Sequence, residues 1–67
     1  MRGTVIHLNH NIEQGTLQDD SGVVWTFRRG DLVYWMGWSE LQTGSAVIFD
    51  SEGKGTASHA INIEPES

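Results

Sequence analysis

Between Gly22 and Trp38 the chain reads GVVWTFRRGDLVYWMGW, a stretch with five of its six aromatic residues and two of its four basic ones. Rings beside guanidinium groups are the pairing that single-strand recognition uses, since bases stack on the ring faces while arginines meet phosphates. Trp25 and Phe27 stand two apart, so on an extended segment they share one face, with Val24 and Thr26 on the other. Val24 is the better core residue of the second pair, which leaves open an exterior placement of Trp25 and Phe27 with Arg28 and Arg29 beside them. The competing reading has the two rings covering the core, as large aromatics do in small domains, and the arginines solvated beside Asp31.

Other chemistries find less support. His7 and His10 have a ligand-like separation, but residues three apart on a strand face opposite sides, and there is no cysteine to complete a thiolate site. No metal or cofactor is therefore expected. The carboxylates are scattered: Asp19 and Asp20 in one turn, Asp50 and Glu52 in another, Glu64 and Glu66 in the tail. With no paired carboxylates beside a pocket, no nucleophile elbow and no phosphate-binding glycine loop, the chain does not read as an enzyme.

The elements that would position these residues are short. Eight glycines and one proline punctuate segments rich in valine, isoleucine, threonine and aromatics, the pattern of an all-β sandwich or barrel. Thr4 to Leu8 reads as a first strand, Gln14 to Gln18 as a weaker second and Val23 to Phe27 as a strong third, with the DDSG turn at Asp19 to Gly22 joining the last two. Gly30 to Gly44 reads as a long connection holding one helical turn that starts at Asp31 as N-cap. Ser45 to Phe49 is the fourth strand, DSEGKG a turn, Thr56 to Ile63 the fifth, and EPES a frayed tail. Five antiparallel strands with a long third-to-fourth connection fit an OB-type barrel, because closure removes exposed sheet edges.

Residues 1–67 form one domain on this reading, since 67 residues cannot build two cores. The first residues are too short an apolar run for a secretory or membrane segment, and the absence of cysteine fits a cytoplasmic protein. A net charge of -5 and a pI near 4.8 argue against strong non-specific binding of polyphosphate.

Several segments resemble the bacterial cold-shock domain. GTVIHLN at Gly3 to Asn9 is similar to its opening GTVKWFN, DSGVVWTF at Asp20 to Phe27 to its DG turn and VFVH strand, LQTGSAVIFD at Leu41 to Asp50 to LxxGxxVxFD, and GKGTASHAINI at Gly53 to Ile63 to its glycine turn and AxNV. The family's KGFGFI stretch falls on Ile12 to Leu17 (IEQGTL), where Gly15 and the apolar Leu17 remain while Gln14 and Thr16 replace its two stacking phenylalanines. Each lost platform removes about 1–3 kcal/mol per base.

The resemblance implies a five-stranded antiparallel OB barrel that binds single-stranded RNA or DNA weakly. It implies a stacking surface of Trp25, Phe27 and Trp38 assisted by His7, with Arg28 on phosphate and about one to three phosphate contacts in all. The alternative is a protein-interaction or self-association module, dimerising through the apolar Leu32 to Trp38 loop. A regulatory domain cut from a longer enzyme is a third reading.

Overall fold

In the computed structural model, which describes residues 1–52 and 58–66, alternating side chains and turn residues divide the chain into five strands. They are β1 (Arg2–Asn9), β2 (Gln14–Asp19), β3 (Val24–Arg28), β4 (Ala46–Ser51) and β5 (Ala60–Pro65). All pair antiparallel in one sheet of order β3-β2-β1-β4-β5. The edge strands approach one another at a parallel bridge, Thr26 with His59, where the Thr26 amide donates to the Ser58 carbonyl at 2.8 Å, and a second parallel bridge joins Leu32 after β3 to Ile63 of β5.

The β2–β3 hairpin forms where the DDSG signal places it. The Asp19 carboxylate accepts from the Ser21 amide at 2.8 Å and the Val23 amide at 3.0 Å, and Gly22 supplies the left-handed conformation at φ +90°. The β1–β2 turn uses Asn9 in the same way, its side-chain oxygen accepting from the Asn11 amide at 3.1 Å.

The core is the inward row of every strand: Val5, Leu17, Phe27, Val47, Phe49 and Ile63 are each at most 1 % exposed. Phe27 fits because its neighbour across the β2–β3 ladder is Gly15, which has no Cβ. A Cβ there would lie 2.8 Å from Phe27 Cζ and 2.7 Å from the His7 carbonyl oxygen.

Three expectations are corrected. The expected helical turn runs over Arg29–Asp31 as a 3-10 turn, so Asp31 ends it rather than capping its start; its carboxylate instead accepts from the Arg28 amide at 2.8 Å. A second 3-10 turn, Trp38–Glu40, closes with the Gly37 amide donating to Glu40 Oε2 at 2.6 Å. Through Glu66 the tail is not frayed: Glu64 and Pro65 belong to β5, the Glu66 amide donates to the Ala46 carbonyl at 3.0 Å, and Arg2 grips the Glu66 carboxylate at 2.7 and 2.9 Å. The first part of the expected fifth strand, Thr56 and the residue after it, lies outside the described residues, as do Gly53 to Gly55 of the DSEGKG turn.

Candidate functional site

The outward face of β1, β2 and β3 assembles from two cross-strand rows. Ladder pairing sets His7 beside Thr16, Thr16 beside Thr26, and Thr26 beside His59; the next row is Asn9, Gln14 and Arg28. These residues line an open groove of about 540 Å³, with Ile12 at its rim and Gly15 and Phe27 beneath.

His7 reaches this face because of a β-bulge. The register slips between Val5 and His7, so Ile6 and His7 both turn outward while Val5 and Leu8 keep the inner side. Bulges redirect side chains in this way beside functional surfaces. The spacing of Val5 and Leu8, three apart and both apolar, is the sequence signal for it.

Polar side chains ring the groove, more of its lining surface is apolar than polar, and it is lightly charged. Among the described residues, the Arg28 guanidinium has no carboxylate partner, whereas Arg29 is shared with Glu13 at 3.3 and 3.4 Å. Thr26 places its hydroxyl 3.3 Å from the Ser58 carbonyl. At the β5 end, His59 Nε2 sits 2.6 Å from Asp31 Oδ2 and Nδ1 is paired with Glu52. The hydrogen bond to Asp31, reinforced by both negative charges and opposed by partial burial, raises the His59 pKa above its ordinary value.

Three of the five expected site residues are turned away from the open face, Phe27 from beneath the groove. Phe27 is 1 % exposed and Trp38 is 8 % exposed, so neither ring presents a face to a base. Trp25 and Phe27 do share a side of β3, but it is the inner one: Val24 is 47 % exposed, Thr26 is outward, and the face assigned to the rings is inverted. The physical reason is volume. With so few large apolar residues available, the rings contribute more buried area than Val24, and Gly15 leaves the space that Phe27 fills.

Trp25 is half-buried, packed edge-on against Phe49 at a centroid distance of 5.4 Å. Its indole N–H donates to Asp19 Oδ2 at 2.9 Å, which lowers the Asp19 pKa. Trp38 turns inward at the start of its 3-10 turn and lies 6.0 Å from both the Phe27 and the His10 ring centroids. Its N–H donates to His10 Nδ1 at 3.0 Å. His10 thus ties the long connection to the β1–β2 turn.

His7 and Arg28 are therefore the expected site residues that the fold brings together on the open face. Asn9, Gln14, Thr16, Thr26 and His59 join them: Gln14 and Thr16 stand where the resemblance puts the two stacking positions, and the sequence reading did not place the other three there. The Leu32 to Trp38 loop splits: Met36 and Trp38 enter the core, Leu32 and Val33 pack on it, and Tyr34 and Trp35 stand 99 % and 54 % exposed.

No protein-family model matches this sequence, and no curated protein is detectably similar to it. Among the described residues, no group of His, Asp or Glu side chains is arranged to hold a metal ion, and no helix is long and apolar enough to cross a membrane.

Proposed function

We propose that the chain is a binding module, similar to a cold-shock domain with an OB-type barrel, whose β1–β2–β3 groove takes a short stretch of single-stranded RNA or DNA at low affinity. The single observation carrying this reading is the open groove itself, where the polar side chains of His7, Gln14, Thr16, Thr26 and Arg28 converge from three strands around a largely apolar lining. The barrel reading is supported by the approach of β3 to β5 at Thr26 and His59.

Recognition on this surface differs from aromatic stacking. Gln14 and Thr16 hold donors and acceptors toward base edges, the exposed His7 imidazole supplies one π-face, and Arg28 meets a phosphate. With Phe27 and Trp38 in the core, two stacking contributions of about 1–3 kcal/mol per base are missing. Affinity is accordingly weak, and its electrostatic part is small, since the chain carries a net charge of -5.

Fluorescence anisotropy of a labelled oligothymidine at low salt tests the proposal. Saturable binding that Arg28→Ala and Gln14→Ala weaken supports it, and a flat anisotropy at millimolar protein rules it out. Trp25→Ala leaves binding unchanged once its folded fraction is accounted for, because Trp25 faces Phe49 and Asp19 rather than the groove.

A second reading rests on a different observation. Tyr34 and Trp35 are adjacent and exposed, and both residue types are enriched at protein contacts. They are the part of the Leu32 to Trp38 loop available to a second copy of the chain. Light scattering on wild type and on a Tyr34→Ser, Trp35→Ser double variant tests it: concentration-dependent dimers lost in the variant support self-association, and monomers throughout exclude it.

A further inference from the structure

His59 occupies an unusual position for an imidazole. Both ring nitrogens face carboxylates, Nε2 that of Asp31 at 2.6 Å and Nδ1 that of Glu52. An ionised carboxylate only accepts hydrogen bonds, so both contacts are made at once only when both nitrogens bear protons. A neutral imidazole has one N–H and would turn a lone pair toward the other carboxylate.

The three residues come from three places. Asp31 ends the 3-10 turn after β3, Glu52 follows β4, and His59 precedes β5. Backbone bonds join the same segments: Thr26 N–H to Ser58 at 2.8 Å, Glu52 N–H to His59 at 3.0 Å and, further along β5, Val33 N–H to Ile63 at 3.0 Å. Asp31 also accepts from the Arg28 amide, so the carboxylate that holds His59 helps set the β3 end bearing the Arg28 guanidinium. The Asp31 and His59 side chains are 13 % and 24 % exposed while Glu52 is 46 % exposed, which makes Glu52 the arm free to swing into water.

We propose that Asp31, His59 and Glu52 form a proton-dependent lock on the seam between β3 and β5, which is one wall of the groove. With His59 protonated, the imidazolium bridges the two carboxylates and the seam is held. Loss of the proton leaves one N–H, retained on the less exposed Asp31; Glu52 swings out and the Thr26–Ser58 contact loosens. The other charged or titratable side chains sharing this space among the described residues are Arg28 of β3 and His7 of β1 across the groove. The raised pKa of His59 agrees with this arrangement.

The lock stands on its own geometry; its effect on ligand rests on the proposed function. The test follows the His59 ring resonances by NMR across a pH titration, in the folded chain and in the urea-unfolded chain. Amide exchange at Thr26 is measured over the same range, with Leu17 in the centre of β2 as the control. The expected result is a folded midpoint above the unfolded one, lowered by Glu52→Gln. Thr26 protection should fall several-fold through that midpoint, beyond the intrinsic pH dependence of exchange, while Leu17 stays constant. His59→Gln should make Thr26 protection independent of pH.

A folded midpoint equal to the unfolded one, or Thr26 protection that ignores the titration, overturns the lock. Oligothymidine affinity that falls several-fold through the same midpoint in wild type, and stays flat in His59→Gln, supports both readings together. Absence of oligothymidine binding at every pH, with Thr26 still tracking His59, sinks the binding reading and supports the lock alone.

Discussion

Gly15 and Phe27 are direct neighbours across the β2–β3 ladder, and the missing side chain of one is the space occupied by the other, a Cβ at 15 falling 2.8 Å from Phe27 Cζ. This pairing decides which way β3 faces. It draws Phe27 inward, Trp25 follows two residues away, and Thr26 and Arg28 are left on the open side.

Gly15→Ala is expected to destabilise the fold by about 1–3 kcal/mol, the usual cost of overpacking a filled core. The contact is with backbone as well as ring, since the His7 carbonyl oxygen is 2.7 Å from the added Cβ, so relief by a side-chain rotation is unavailable. Urea denaturation measures it. A midpoint equal to wild type would contradict the packing.

Phe27→Ala removes a ring from the centre of the core and is expected to cost about 3–5 kcal/mol. That is comparable with the entire stability of a small domain, on the order of 5 kcal/mol. Circular dichroism should show a largely unfolded chain, and loss of nucleic-acid binding in this variant reports unfolding rather than a missing contact. A fully folded variant would argue that the ring is dispensable.

The pH dependence of stability has two parts of opposite sign. The folded pKa of His59 is raised above 6.5, so its contribution is fully present below pH 6.5 and is lost as pH rises through the folded value. The folded pKa of Asp19 is lowered from 3.8, first by the Trp25 indole N–H, so its contribution is present above 3.8 and is lost as pH falls through the folded value. Thermal midpoints against pH should decline on both sides. His59→Gln flattens the alkaline decline, and Asp19→Asn flattens part of the acid one; variants that keep the wild-type slopes would exclude these assignments.

Salt dependence counts the cations that meet phosphate. Among the described residues Arg29 is shared with Glu13 and Arg2 with Glu66, which leaves Arg28 as the principal contact there, and the slope of log affinity against log salt should be about -0.7 for a single strand. Arg28→Ala should bring that slope near zero. A much steeper wild-type slope would mean that other cations take part.

How much of this was legible in the sequence differs from element to element. Strands 2, 3 and 4 and the Asp19 turn were readable because alternation and turn chemistry act locally. The facing of β3 was not, since Val24, Trp25 and Phe27 all qualify for a core, and the choice depends on Gly15 across the ladder. The bulge that aims His7 outward left only an odd spacing, Val5 to Leu8, against the period of two. Trp38 read as a loop ring because the residues that bury it, Phe27 and the indole acceptor His10, are distant in sequence. His59 stands alone in its stretch of sequence. Its carboxylate partners are 28 and 7 positions away, contacts that no local pattern announces.

The most direct measurement is amide chemical-shift mapping of the labelled chain titrated with oligothymidine at low salt. The account predicts saturable shifts concentrated on His7, Gln14, Thr16, Thr26 and Arg28, with Trp38 and the β4 residues little moved. Shifts confined to Tyr34 and Trp35, or none at millimolar oligonucleotide, would contradict it.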